Sequence, residues 1–233
     1  LYGFGEIILV VIGILIALAI NNANQRRIVA EKEQAYLVGL QSEFQSSRKK
    51  LETLLQVNRK NYEGAKQLLQ LLDQDQPLPE EAVLSKLLFD SFAFEIAYNP
   101  NNSLLVEMIN SGSLKDISNP ELRIYLTSWE SILESVRIQE ADLRTQREAV
   151  RDLFRSSDGS IRTIFDGAGL SKELIGLAPA TNPRSNVAIL RSAAFENSAL
   201  MFILTSMSAE SSHYHPLLTE IDSILVLIAE ALD

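Results

Sequence analysis

The chain has 233 residues, with 30 acids against 21 bases and a net charge of −9. That balance argues against a nucleic-acid partner, which calls for a basic face, and against lying flat on anionic lipid. With no cysteine at all, disulfides and cysteine-based zinc sites are excluded.

Residues 1–20 read LYGFGEIILVVIGILIALAI, with Glu6 the sole charge. At 1.5 Å per residue such a stretch makes about 30 Å of helix, the thickness of a bilayer's hydrocarbon core. We therefore expect an N-terminal transmembrane anchor over residues 1–22 and a water-exposed helical domain over 23–233. A secretion signal competes, because Ile7 to Ile20 has the length of a signal core and Ala17-Leu18-Ala19 has small residues at cleavage spacing. Leu rather than Met at position 1 leads us to expect further residues upstream. The flank that follows holds Arg26, Arg27 and Lys32, which taken alone favours a cytoplasmic location for that side.

Beyond the anchor, residues 21–73 contain no proline, and only Gly39 and Gly64 weaken a continuous helix. A 3–4 spacing runs through Leu37, Leu40, Phe44, Ser47, Leu51, Leu54, Asn58, Asn61, Ala65, Leu68 and Leu72, marking a buried seam. Asn58 and Asn61 interrupt it, either as a register-fixing polar layer or as an ordinary imperfection. Anchor and helix are expected to join without a break, the part from Asn21 onward adding roughly 80 Å if straight. Asp73 to Pro79 is a turn, and a helix from Glu80 turns Leu84, Leu87, Leu88 and Phe92 inward. Phe92 to Pro100 breaks it. Ser103 is the expected cap of a short helix that Gly112 stops. Asn119-Pro120-Glu121 is a strong helix start, with a seam at Leu122, Leu126, Trp129, Leu133, Val136, Glu140, Leu143, Arg147, Val150 and Phe154. Glycines and prolines between Asp158 and Pro183 predict a loose region. Helical spacing returns through Phe195, Leu200, Leu204 and Met207. Pro216 should kink or restart it before Leu217, Ile221, Leu225, Ile228 and Leu232. Asp222 and Glu230 leave too short an apolar run for a second span. The expected fold is all-α, an antiparallel bundle built on the extended helix.

Gly5-Glu6-Ile7 through Ala17-Leu18, followed by Ile20-Asn21-Asn22 and Asn24, resembles a family of uncharacterised single-pass membrane proteins, mostly from Bacteroidota, that form a domain of unknown function. The segments Tyr98-Asn99-Pro100 to Leu114 and Asn119 to Arg123 are similar to it as well. The chain departs from the pattern at Ala23, where a Trp is usual, and at Ala19, where a Gln is common. Family members carry a basic segment before the anchor. The resemblance therefore implies an inner-membrane protein with its large C-terminal domain in the periplasm. It implies no activity, cofactor or catalytic residue.

Glu6 is the most provocative residue, since an ionisable group inside a span suggests ion coupling by default. Gly13 and Ala17 have the small-xxx-small spacing of helix pairing, which is the preferred role for all three. His213-Tyr214-His215 sets its imidazoles on different helix faces, so a surface or capping role outweighs metal. Asp166 to Lys172 lacks the spacing and preceding strand of a phosphate loop. No catalytic, cofactor or metal site is expected. The expected function is a non-enzymatic, membrane-anchored scaffold whose partners are the bilayer and further copies of itself or a larger envelope complex. The alternative is a periplasmic ligand-binding or sensory module that signals through a partner. A closed apolar pocket inside the helices, with a few converging polar groups, would favour that alternative.

Overall fold

The computed structural model describes residues 2–73 and 77–232, the side chains of 2–8 and 10 excepted. Among the described residues every regular element is helical. The α-helices are α1 (Tyr2–Leu72), α2 (Glu81–Phe92), α3 (Ser103–Ser111), α4 (Pro120–Arg155), α5 (Ile161–Gly167), α6 (Leu170–Glu173), α7 (Val187–Leu190), α8 (Ala193–Ala209) and α9 (His215–Leu232). Two compact units divide the chain: residues 1–46, 101–128 and 222–233 form one, and 47–100 and 129–221 the other.

Apolar spacing explains the two long helices. Ten of the eleven α1 seam positions are buried and Leu72 is half-buried. In α4, Leu122 through Phe154 are buried at every expected position except Glu140, which is half-buried. The α1 seam is thus covered by this chain's own residues and needs no second copy to fill it. Asn58 is part of that packing: its amide donates to the Ser206 carbonyl of α8 at 2.9 Å.

In the first unit Leu37, Leu40 and Phe44 of α1 share a core with Leu105, Met108, Ile117, Leu122, Ile224 and Ile228. The α3 cap differs from expectation. Asn102 occupies the cap position without a side-chain bond, and Glu43 of α1 accepts the Leu104 N–H at 2.7 Å and the Leu105 N–H at 3.3 Å. A carboxylate at a helix N-terminus meets both orphan donors and the positive end of the dipole. Gly39 lies one turn earlier, and a Cβ there would overlap the Leu104 side chain. The helix-weakening residue is what lets α3 approach α1. Gly112 ends α3 in the left-handed region (φ 70) as expected. Glu33 accepts the Ser118 N–H at 2.6 Å and Lys32 reaches Asp116 at 2.8 Å, tying the α3–α4 connection to α1. Asn119 Oδ1 then caps α4, accepting the N–H groups of Glu121 and Leu122.

In the second unit α1 packs on α2 where a Cβ on Gly64 would collide with the Ser91 hydroxyl. The structure corrects the expected face of α8. Leu200, Leu204 and Met207 point outward, and the buried face is Phe195, Ala199, Phe202, Ile203, Ser206 and Ala209. Phenylalanines seven apart carry more apolar area than the leucine stripe, so they take the core. Between α8 and α9 the helix does not restart. It widens to a π turn over Glu210–Tyr214, which suits a Pro216 with no N–H to give to a preceding carbonyl. The α9 residues of this unit that face inward are Leu217 and Ile221, whereas Ile224 and Ile228, with the half-buried Leu225 and Leu232, belong to the first unit.

Candidate functional site: an aromatic cleft beside a buried ionisable cluster

Within the second unit a cleft of about 450 Å³ opens between α2, α4 and α5. Five of the chain's nine phenylalanines line it: Phe89, Phe92, Phe94, Phe154 and Phe165. Helical geometry puts them there. Leu88 and Phe92 stand four apart on α2, Val150 and Phe154 four apart on α4, and Ile161 and Phe165 four apart on α5, so each helix turns one stripe inward. Phe89 meets Phe94 edge-on at 5.2 Å and Phe165 edge-on at 6.3 Å. Phe94 remains 56% exposed at the mouth.

Two arginines of α4 complete the lining. Arg151 donates through Nε to the Phe92 carbonyl at 2.7 Å and through Nη2 to the Ala93 carbonyl at 2.6 Å. Its Nη1 pairs with Glu148. The planar fork thereby satisfies the last carbonyls of α2 and sets a cation at that helix's negative end. Arg155 is placed differently: its Nη1 makes ion pairs with Glu148 and Asp152 on its own helix, and its side chain is 49% exposed.

One turn and more before the cleft, α4 carries a second cluster. Glu140 accepts the Tyr98 N–H at 2.8 Å and the Tyr214 hydroxyl at 3.4 Å. Tyr98 donates its hydroxyl to the Ser47 carbonyl at 3.3 Å. Glu95 pairs with Arg144 and lies 3.9 Å from Arg147. Arg147 is 3% exposed, and its guanidinium stacks 5.4 Å from the Phe202 ring centre. Burial pushes the Glu140 carboxyl above its usual range and the Arg147 guanidinium below its own, and it raises both tyrosine hydroxyls. These groups hold the π turn and the loop after α2 in place. None of them lines the cleft.

The sign of the Glu140 shift gives a test. A carboxyl raised in the folded state favours the protonated fold, so its stability contribution is complete below the unfolded value near 4.5 and is lost as pH rises through the folded value. Glu140→Gln keeps an acceptor for the Tyr98 N–H and carries no charge. Urea midpoints should show the variant gaining on wild type as pH rises from 4.5 to 7. A constant difference across that range would contradict the assignment.

The residues singled out in the sequence are scattered. The Glu6 side chain lies outside the described residues. Gly13 has open space where a Cβ would project, and Ala17 is exposed. His213 Nδ1 lies 3.5 Å from the Ser135 hydroxyl and His215 Nε2 3.5 Å from Glu210, while Tyr214 between them is fully buried. Among the described residues no three His, Asp or Glu side chains converge as metal ligands. Asp166 serves structure: it accepts from Arg162 and from the Ala180 N–H at 2.9 Å, fastening the loop after α6. Sequence reasoning missed the cleft. The available signal was the crowding of phenylalanine around residues 89–94.

A family model described as a family of unknown function, DUF6090, matches residues 6–149. The chain belongs to that family. The DUF6090 match takes in α1 from its fifth residue on, α2 and α3, with most of α4, including Glu140 and Arg147. It stops one residue before Val150, so the α2 wall of the cleft lies inside the match and the α5 wall outside it. No curated protein and no solved structure matches the chain.

Proposed function

We propose that this member of the DUF6090 family is a single-pass membrane protein of the inner membrane, with its helical domain in the periplasm and a non-enzymatic, binding role. Among the described residues no helix is long and apolar enough to cross a membrane. The described side chains take in only part of the apolar run, starting at Leu9 and continuing from Val11. The observation that carries the reading is the state of that part. Residues 11–30 of α1 are all exposed, with Val11, Ile12, Ile14, Leu15, Ile16, Leu18 and Ile20 between 46% and 66% accessible. An apolar surface all round a helix is the pattern of a segment that lipid covers.

The scaffold reading rests on Gly13 and Ala17, where the open face admits a second helix. The α1 seam gives it no further support, being filled from within. Solubilisation of native membranes followed by mass measurement tests it: an assembly of more than one copy of the chain is expected, and a clean monomer would refute self-association. A second reading, a ligand-binding module, is favoured by the cleft. Its 450 Å³ falls within the ~300–1,000 Å³ typical of small-molecule sites, and few polar groups interrupt its apolar lining.

A further inference from the structure

We propose that the cleft between α2, α4 and α5 binds a carboxylate with an alkyl tail, a fatty-acid-like amphiphile, and that Arg155 receives the headgroup. This inference rests on the ligand-binding reading and names its ligand class. The tail follows from the walls. They are apolar, and neither ring pair at the cleft is parallel: Phe89 stands at 83° to Phe94 and at 84° to Phe165. Edge-to-face packing is ordinary for phenylalanine pairs and leaves no stacking slot between these rings, so the apolar lining as a whole is what suits a hydrocarbon tail.

The headgroup follows from the charges. Arg151 and Arg155 are the charged residues in the lining, so an anion suits the mouth and a cation does not. Arg151 is committed, since Nε and Nη2 hold the end of α2 and Nη1 holds Glu148. Arg155 is not. Both of its ion pairs use Nη1, so Nε and Nη2 take no part in them. Both pairs are solvent-exposed, a class worth about 0–1 kcal/mol, so a ligand carboxylate exchanges for them at small cost. A guanidinium edge with two parallel N–H groups matches a carboxylate bidentately.

The test uses the full chain in nanodiscs and a dodecanoate with a photoreactive diazirine in its tail, with labelled peptides mapped by mass spectrometry. Saturable labelling is expected on the peptides carrying Phe94 and Phe165, with unlabelled dodecanoate competing about tenfold better than 1-dodecanol, a difference of ~1.4 kcal/mol. Arg155→Gln should remove that preference and leave the alcohol's competition unchanged. Ile161→Trp, which fills the cleft, should remove the labelling in a protein that melts like wild type. If the alcohol competes equally and Arg155→Gln changes nothing, the headgroup assignment fails and the ligand-binding reading survives. No saturable labelling in the cleft overturns both. Labelling that is lost only as the protein dimerises overturns both as well, because the cleft is then covered by a second copy.

Discussion

Arg151→Ala is expected to lower the melting temperature by about 6–12 °C. Two hydrogen bonds from a charged donor to the Phe92 and Ala93 carbonyls disappear, each worth about 1.5–3 kcal/mol when the donor is ionised. The side chain is 22% exposed, so water recovers part of this, leaving a loss of about 3 kcal/mol. For a protein of this size each kcal/mol is worth ~2–4 °C. Arg151→Lys should rescue little, because one ammonium does not span two carbonyls as a planar fork does. Thermal unfolding followed by circular dichroism checks both variants. A shift below about 2 °C for the alanine variant would mean that the α2 end holds itself, contrary to this account.

The second large effect concerns the apolar run. Leu15→Arg combined with Ile16→Arg places two cations near its middle, each costing about 2.5–3.5 kcal/mol on insertion scales. The sum of roughly 6 kcal/mol corresponds to more than ~10⁴ in a partition ratio. The variant should leave the membrane pellet on alkaline washing. Arginines at Ile28 and Val29, also exposed on α1 but beyond the run, should leave the protein in the pellet. Equal behaviour of the two pairs would remove the basis for an anchor.

The fold was legible where one face of a helix differs sharply from the other. In α1 and α4 the apolar residues keep a 3–4 spacing among charged neighbours, and nearly every seam position is buried. The turns were legible through their chemistry: Gly112 in the left-handed region, Asn119 capping α4. In α8 the pattern fails because Leu200, Met201, Leu204 and Met207 are as apolar as the residues opposite. Side-chain volume then decides, and Phe195 and Phe202 take the inside. The α3 cap was invisible because its carboxylate, Glu43, comes from α1, about sixty residues away.

The cleft was illegible for a related reason. Its α2 wall lies more than fifty residues from the α4 and α5 walls, and Phe89, Arg151 and Phe165 are each half-buried. Single stripes of that kind look like ordinary core edges. Only their convergence, with Arg151 fixing the chain after α2, turns them into a site. The buried cluster on α4 was no more legible. Glu140 and Arg147 sat at seam positions where apolar residues are expected, and both are held by groups from other elements. Among the many charges of α4 they look in sequence like part of a solvated face, and only the contacts from other elements show Arg147 buried and Glu140 half-buried.

Whether lipid surrounds residues 9–20 is the point on which the proposed function turns, and the absence of cysteine makes it directly measurable. Single cysteines at Leu9, Ile14, Leu18 and Val38 accept nitroxide labels, with the protein reconstituted in liposomes. Collision with oxygen, which concentrates in the bilayer, is then compared with collision with a water-borne nickel chelate. The account predicts that labels at Leu9, Ile14 and Leu18 meet oxygen and are shielded from nickel, while Val38 meets nickel. Nickel access at Ile14 equal to that at Val38 would contradict it.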